Sequence, residues 1–357
     1  MVLDLTASSA QLTRAICDFP SVSGAEAPLA DAIEAAVRAC AHLEVMRHGN
    51  TIVARTNLGR AQRVVIAGHI DTVPINDNLP VRDIDIEGVP YLWGRGTVDM
   101  KAGVAVQLKL AAELAAPVVD ITWMWYDNEE VQASLNGLNL LAAARPDLFR
   151  ADFAILGEPS NGSVEGGCNG TMRAVVRTHG VRAHSARAWV GENAIHRAAP
   201  ILARLAEYRA REVAVEGLDY REGLSAVKIT GGVAGNVIPD LCEVEVNYRF
   251  APSKSVADAE AHVRNVFAGF EVEITDAADG ARPGLDAPIA QQFLAAVGAQ
   301  ARPKYGWTDV ARFSALGIPA VNYGPGDPHL AHHDEERVPL AQIEDVERGL
   351  RTWLTAS

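Results

Sequence analysis

Apolar runs of two kinds alternate along the first part of the chain. Ala-rich stretches at 9–17 and 25–42 place apolar residues three and four apart and predict amphipathic helices. Positions 45–55 read as a strand or hairpin. The run 64–67, Val-Val-Ile-Ala, is apolar throughout and mostly β-branched, the pattern of a strand buried on both faces of a mainly parallel sheet. An Ala- and Leu-rich helix follows Asp99 and stops before Pro117. Strand 121–126, a helix near 135–144 and strand 153–157 come next. This β-α-β-α alternation predicts a three-layer α/β domain.

The pattern changes after about residue 172. A strand at 173–178 leads to one long helix over 192–209. Segments 227–230 and 242–250 alternate like antiparallel strands with one wet face. A helix at 256–267 and a strand at 271–275 follow. The order predicts a smaller α+β two-layer sandwich, 173–282, inserted into a first domain made of 1–172 and 283–357. The returning chain supplies helix 287–300, a turn at 304–308, helix 309–316, strand 320–323, a glycine-rich loop and a closing helix, 340–355. Two domains also suit 357 residues, a length at which single cores stop growing.

Charge and cysteine content narrow the partners. The formal net charge is −13 and no run of Lys or Arg marks a nucleic-acid or membrane footprint, so neither partner is expected. An anionic substrate would have to be held by local Arg and Lys. The first residues lack a basic segment followed by an apolar one, and no apolar run is long enough for a bilayer. Cys17, Cys40, Cys168 and Cys242 show no C-x-x-C spacing, which fits free thiols in the cytoplasm.

The chemistry sits just after the apolar strands, where ligands collect in an open α/β sheet. His69 and Asp71 follow 64–67. On extended backbone, residues two apart share a face, so Asp71 is placed to orient the imidazole through its second nitrogen. Asp99 follows Gly94-Arg95-Gly96-Thr97-Val98 and precedes a helix, where a simple N-cap is an alternative use for it. Glu129 and Glu130 follow 121–126 and should diverge on extended backbone, one toward a metal and one toward substrate. Glu158 follows 153–157, and His332 lies in a loop with His329 and His333. One His and one carboxylate per ion with a shared Asp leave positions for water, the open pattern of catalytic zinc.

Gly68-His69-Ile70-Asp71-Thr72-Val73-Pro74, the segment 94–103, Asn128-Glu129-Glu130, Leu156-Gly157-Glu158-Pro159 and Ala331-His332-His333-Asp334-Glu335-Glu336-Arg337-Val338 resemble the signatures of the co-catalytic zinc amidohydrolases. That family includes aminoacylases, acetylornithine deacetylases, glutamate-type carboxypeptidases and succinyl-diaminopimelate desuccinylases. The resemblance spans nearly the whole chain. Segments 183–187, 221–227, 235–239, 247–250, 304–309 and 324–328 are most similar to the actinobacterial desuccinylases.

The resemblance implies a catalytic domain with an inserted dimerisation domain, and two zinc ions per subunit for which cobalt can substitute. His69, Asp99 and Glu158 would hold one ion; Asp99, Glu130 and His332 would hold the other, with Glu129 as acid/base. His332 rather than His333 fits the family frame, because Glu336 stands four residues on and Val338 six. A cis Asp99–Met100 peptide is implied as well. His184 becomes an oxyanion donor working in the partner subunit's site, which requires a homodimer. Arg249 and Asn236 become substrate binders, with Thr308 and Gly324 as further candidates and Arg182, Arg187 and Lys304 as more remote ones, while His329 and His333 receive no role. The implied reaction takes N-succinyl-L,L-2,6-diaminopimelate and water to succinate and L,L-2,6-diaminopimelate, toward lysine and peptidoglycan. Another deacylase of the family, such as acetylornithine deacetylase, or a metallopeptidase stands as the alternative. A non-catalytic metal-binding protein is a third reading, opposed by Glu129, an unligated carboxylate that a binder has no use for.

Overall fold

The computed structural model describes residues 2–356, and the chain divides into two compact units. The larger comprises Met1–Gly166, Pro283–Arg302 and Arg312–Ser357, the smaller Gly167–Arg282 and Pro303–Ala311. The smaller unit therefore begins at Gly167 rather than at 173, because Cys168 already bridges to Ala281. It also captures the 303–311 segment, where Lys304 accepts from the Asn169 amide and Thr308 from the Cys168 thiol.

An eight-stranded sheet organises the larger unit, in the order Glu44–His48, Thr51–Arg55, Asp120–Tyr126, Arg63–His69, Phe153–Leu156, Ala320–Asn322, Val164–Gly166, Ala301–Pro303. The four strands in the middle of this order run parallel. Every residue of Asp120–Tyr126 and of Phe153–Leu156 is buried; the second is wholly apolar and the first is apolar apart from Asp120 and Thr122. Register aligns the strand ends: His69 is level with Tyr126, Ala67 with Leu156, and Leu156 with Asn322. The residues that follow these strands are thus delivered to one edge of the sheet.

Helix Lys101–Glu113 is apolar nearly all round because it is buried nearly all round, between strand Arg63–His69 and the helices Ser9–Cys17 and Leu340–Thr355. The second predicted helix is shorter than 25–42, running Ala27–Arg38 with Pro28 in its first turn. The hairpin Arg82–Ile86/Val89–Trp93, joined by Arg337–Pro339 into a three-stranded sheet, has too few apolar positions to stand out in the sequence.

In the smaller unit a four-stranded antiparallel sheet runs in the order Gly223–Gly231, Leu241–Phe250, Gly170–His179, Glu271–Ala278. Alternation is strict on Leu241–Phe250. Cys242, Val244, Val246, Tyr248 and Phe250 enter a core shared with Ile201, Ala259 and Val263 of the helices Ala199–Glu207 and Val256–Val266. Where one helix is expected over 192–209, the chain forms two. Asn193 caps a short helix Ala194–Arg197, and Ala199–Glu207 starts anew with Pro200 in its first turn. The unit also contains the hairpin Glu212–Val215/Leu218–Arg221. No helix among the described residues is long and apolar enough to cross a membrane.

Candidate active site

His69, Glu130 and Glu158 from three strand ends and Asp99 and His332 from two loops meet at the sheet edge. His69 closes its strand, 1% exposed, with its two ring nitrogens facing different partners. Nδ1 lies 3.1 Å from the Asp71 carbonyl oxygen and 3.4 Å from its Oδ1; Nε2 lies 3.1 Å from Asp99 Oδ1 and 4.0 Å from Glu158 Oε1. A carboxylate behind one nitrogen fixes the ring and directs the other outward. His332 Nε2 stands 2.9 Å from Glu130 Oε1 and 3.3 Å from Asp99 Oδ2. Asp99 therefore turns one oxygen to each histidine.

Three groups hold donor atoms that all lie within 4.8 Å of one another: His69, Asp99 and Glu158; Asp99, Glu130 and His332; and His69, Glu129 and Glu130. The third group departs from the expected divergence of the two glutamates. After Tyr126 the chain is no longer extended; Asn128 adopts φ 58°, and the resulting turn brings both carboxylates to the same cluster. Asp99 is also not the N-cap of its helix. Met100 holds that position, makes no capping bond, and the Asp99–Met100 peptide is cis, as the family resemblance implied.

Charge is poorly balanced here without cations. Burial works to lower the basicity of His69, yet its hydrogen bonds to Asp71 and Asp99 carry it well above the usual imidazole range. Hydrogen bonds to Asp99 and then Glu130 push His332 up to about 10. Burial would raise Asp99, but His332 and His69 hold it well below the usual carboxylate range. Two imidazoles compelled to keep protons by converging carboxylates form a site suited to divalent cations in place of those protons. The donor set, imidazole nitrogen and carboxylate oxygen only, fits such ions.

Several buried groups the sequence reading passed over hold this geometry. Glu336, fully buried, accepts from the amides of Val98 at 2.8 Å and Asp99 at 3.0 Å, and pairs with Arg95 at 2.9 Å. It ties the His332 loop to the Asp99 loop, which gives its fixed spacing from His332 a physical meaning. Lys101, 1% exposed, donates to the Phe19 carbonyl at 2.9 Å. A Cβ on Gly103 would stand 2.1 Å from the Gly157 carbonyl oxygen, so only glycine lets the helix after Asp99 reach the backbone leading into Glu158. Within the final loop, His332 takes φ 64° and enters the cluster. His329 bonds Asp327 at 2.8 Å, and His333 Nδ1 accepts from the Glu335 amide.

The remaining candidates divide between the units. Gly324 lies in the larger one; its N–H and C=O are both taken up by Ser160, and a Cβ would meet the Gly157 carbonyl oxygen at 2.1 Å, so close packing accounts for it. In the smaller unit, strand Ala183–His184 pairs with Val237–Ile238, and the Ser185 amide donates to Asn236 at 2.9 Å, making His184 and Asn236 neighbours. His184 is exposed, and its Nδ1 accepts from the Ala186 amide at 3.1 Å, which places the ring proton on Nε2 as an available donor. Arg249 is half-buried, and burial lowers its basicity. Its Nε donates to Asn247 Oδ1 at 3.1 Å, and no carboxylate pairs with it among the described residues. Thr308 is 5% exposed, close to Cys168.

A cluster of one buried and one exposed histidine with several carboxylates, beside the carboxyl ends of a parallel sheet, defines a metal-dependent hydrolase, and the chain belongs to the peptidase family M20/M25/M40, whose pattern matches residues 65–356. It is 54% identical, over 99% of both chains, to a Mycobacterium tuberculosis protein with the provisional name succinyl-diaminopimelate desuccinylase DapE. It is 48% identical to the succinyl-diaminopimelate desuccinylase of Corynebacterium glutamicum, over 99% of this chain and 98% of that one. Among solved structures it shares its fold with an M20 family metallo-carboxypeptidase from Sulfolobus solfataricus, with a TM-score of 0.78 at 16% identity and 98% coverage of each chain.

Proposed function

We propose that the chain hydrolyses N-succinyl-L,L-2,6-diaminopimelate to succinate and L,L-2,6-diaminopimelate in the cytoplasm. The observation that carries the substrate is the identity of 54% and 48% over essentially the whole chain to two proteins named for that reaction. The Arg249 fork, partly desolvated and lacking an internal carboxylate, supports it independently. Four free cysteines fit a reducing compartment.

In this reading His69, Asp99 and Glu158 would hold one zinc ion and Asp99, Glu130 and His332 a second, with cobalt able to replace them. When bound, such ions supply Lewis acidity toward the amide carbonyl and acidify water. Asp71 fixes the His69 ring. Glu129 accepts the proton of the attacking water and then delivers it to the departing amine as the C–N bond breaks. Arg249 receives the succinyl carboxylate, with Asn236 and Thr308 beside the substrate.

Arg249→Met is expected to lower kcat/KM on the succinylated substrate by about a hundredfold or more, since a site built for a charged group leaves polar atoms unpaired without it. Its effect on an acetylated analogue should be small. Equal loss on both, or equal parent rates on succinyl and acetyl substrates, would favour acetylornithine deacetylase or another deacylase of the family.

The chain would act as a homodimer. Strand Gly223–Gly231 is a nine-residue edge with Val227 61% and Ile229 49% exposed, features that a second copy would cover. His184, with Nε2–H as donor, would then stabilise the developing oxyanion in the partner's site, a contribution of ~3 kcal/mol for such donors. Mixing inactive Glu129→Gln with inactive His184→Ala subunits should restore activity, because each heterodimer gains one site with both residues intact. Heterodimers as inactive as either parent, with exchange verified, would place His184 in its own subunit's site or outside the reaction.

A further inference from the structure

Three successive amides of the turn carrying Glu129 and Glu130 are held by two buried carboxylates. Glu129 N–H donates to Asp71 Oδ1 at 3.0 Å and Glu130 N–H to Asp71 Oδ2 at 3.1 Å. The amide before them, Asn128 N–H, donates to Glu26 Oε1 at 3.3 Å. Asn128 itself sits in the left-handed region at φ 58°, which turns the chain there and which asparagine tolerates better than most non-glycine residues.

Asp71 is accounted for by His69, but Glu26 has no comparable partner. Its side chain is fully buried and stands at the N-cap of helix Ala27–Arg38, yet makes no bond to that helix. Oε1 also accepts from the Gly24 amide at 2.8 Å, while Oε2 is buried with no hydrogen-bond partner. The charged groups bearing on it are Asp71 and Asp127, both acidic, and burial raises its pKa. A carboxyl group buried beside two others, half satisfied and without a cation, is costly to the fold. Stability does not explain its presence.

Its surroundings point to a brace. The Thr72 amide donates to the Ser21 carbonyl at 3.0 Å and the Ser23 amide to the Thr72 carbonyl at 3.1 Å. Ser21 Oγ donates to the Ile70 carbonyl at 2.6 Å and Ser23 Oγ to Asp71 Oδ2 at 2.7 Å. Segment 21–26 is thereby stitched to the loop that follows His69, and through Glu26 to the turn before Glu129.

We infer that Glu26 is a positioning residue that fixes the 128–130 turn and so sets where the Glu129 carboxylate stands relative to His69 and Glu130. The inference rests on the reading of Glu129 as the acid/base. A misplacement of about 1 Å at a reacting group can cost on the order of a hundredfold in rate.

The test compares Glu26→Ala, Glu26→Gln and Glu26→Asp in the zinc-loaded full chain, following kcat, KM, bound metal and the pH profile of kcat. Glu26→Ala should lose about ten- to a hundredfold in kcat. Its KM and metal content should stay near the parent's, and its acid limb should move. Glu26→Gln keeps the accepting oxygen and should recover most of the loss. Should the alanine variant not fold, Glu26→Asp withdraws that oxygen by one methylene while retaining the carboxylate, and a fall in kcat is again expected. A folded, metal-loaded Glu26→Ala or Glu26→Asp with parental kcat and pH profile overturns the inference, as does a Glu26→Gln loss equal to that of alanine. Glu129→Gln run alongside separates the two levels. If it stays active, the acid/base reading fails; if it is inactive while the Glu26 variants are unaffected, only the brace fails.

Discussion

Glu129→Gln is expected to lower turnover by roughly three to four orders of magnitude while the protein still takes up its full complement of metal. General acid–base groups contribute about 10²–10⁴-fold, and a residue that serves first as base and then as acid in one cycle stands at the upper end. Glutamine keeps the size and an acceptor oxygen but cannot move a proton. The control matters because the Glu129 carboxylate lies within 4.8 Å of donor atoms of both His69 and Glu130, close enough to be a ligand instead. Metal analysis after dialysis decides. A lost ion in Glu129→Gln, with Glu130→Gln keeping both, would exchange the roles of the two glutamates. KM should change little, since the interaction removed is one made in the transition state.

Most of the site was legible because it follows strands whose sequences are unmistakable. The runs 64–67, 121–126 and 153–157 are apolar but for Thr122 and show no alternation, the pattern of strands in a sheet covered on both faces. Once these are parallel and adjacent, His69, Glu129, Glu130 and Glu158 must emerge at one edge. Asp99 and His332 were less determined. Nothing in periodicity separates His332 from His333; its left-handed backbone makes the difference, and only the family frame pointed to it.

What the sequence hid falls into two kinds. Elements set by tertiary packing, such as the hairpin Arg82–Ile86/Val89–Trp93 and the break between Arg197 and Ala199, carry weak local patterns. Buried polar residues that act through backbone amides form the second kind. Glu26 and Glu336 look like surface glutamates in the sequence, and Lys101 like an ordinary helix lysine, yet each is at most 1% exposed. Their partners are main-chain groups or, for Glu336, a distant arginine, and such pairings leave no local residue pattern.

On the proposed ligand set, Asp99→Asn should abolish activity by removing a ligand that both ions would share rather than by unfolding the protein. One oxygen of Asp99 faces His69 and the other faces His332, and Asp99 is the side chain common to the group His69, Asp99 and Glu158 and the group Asp99, Glu130 and His332. An amide offers one oxygen and no charge, and the variant is expected to retain at most about one ion per subunit, with turnover near background. Retention of two ions with parental turnover would remove Asp99 from the bridge. The pH dependence of metal uptake gives an independent reading. His332 is pushed up to about 10, first by Asp99 and then by Glu130. At any lower pH an incoming ion must displace its proton, so affinity should rise with pH up to about 10 and loading should release protons at neutrality. Without the Asp99 charge the imidazole is less basic and fewer protons should be released per bound ion, even though binding is weaker. Calorimetry in buffers of different ionisation enthalpy measures that count. An unchanged proton release in Asp99→Asn would mean that Asp99 does not govern the protonation of His332, and the paired arrangement of the two histidines around one carboxylate would have to be abandoned.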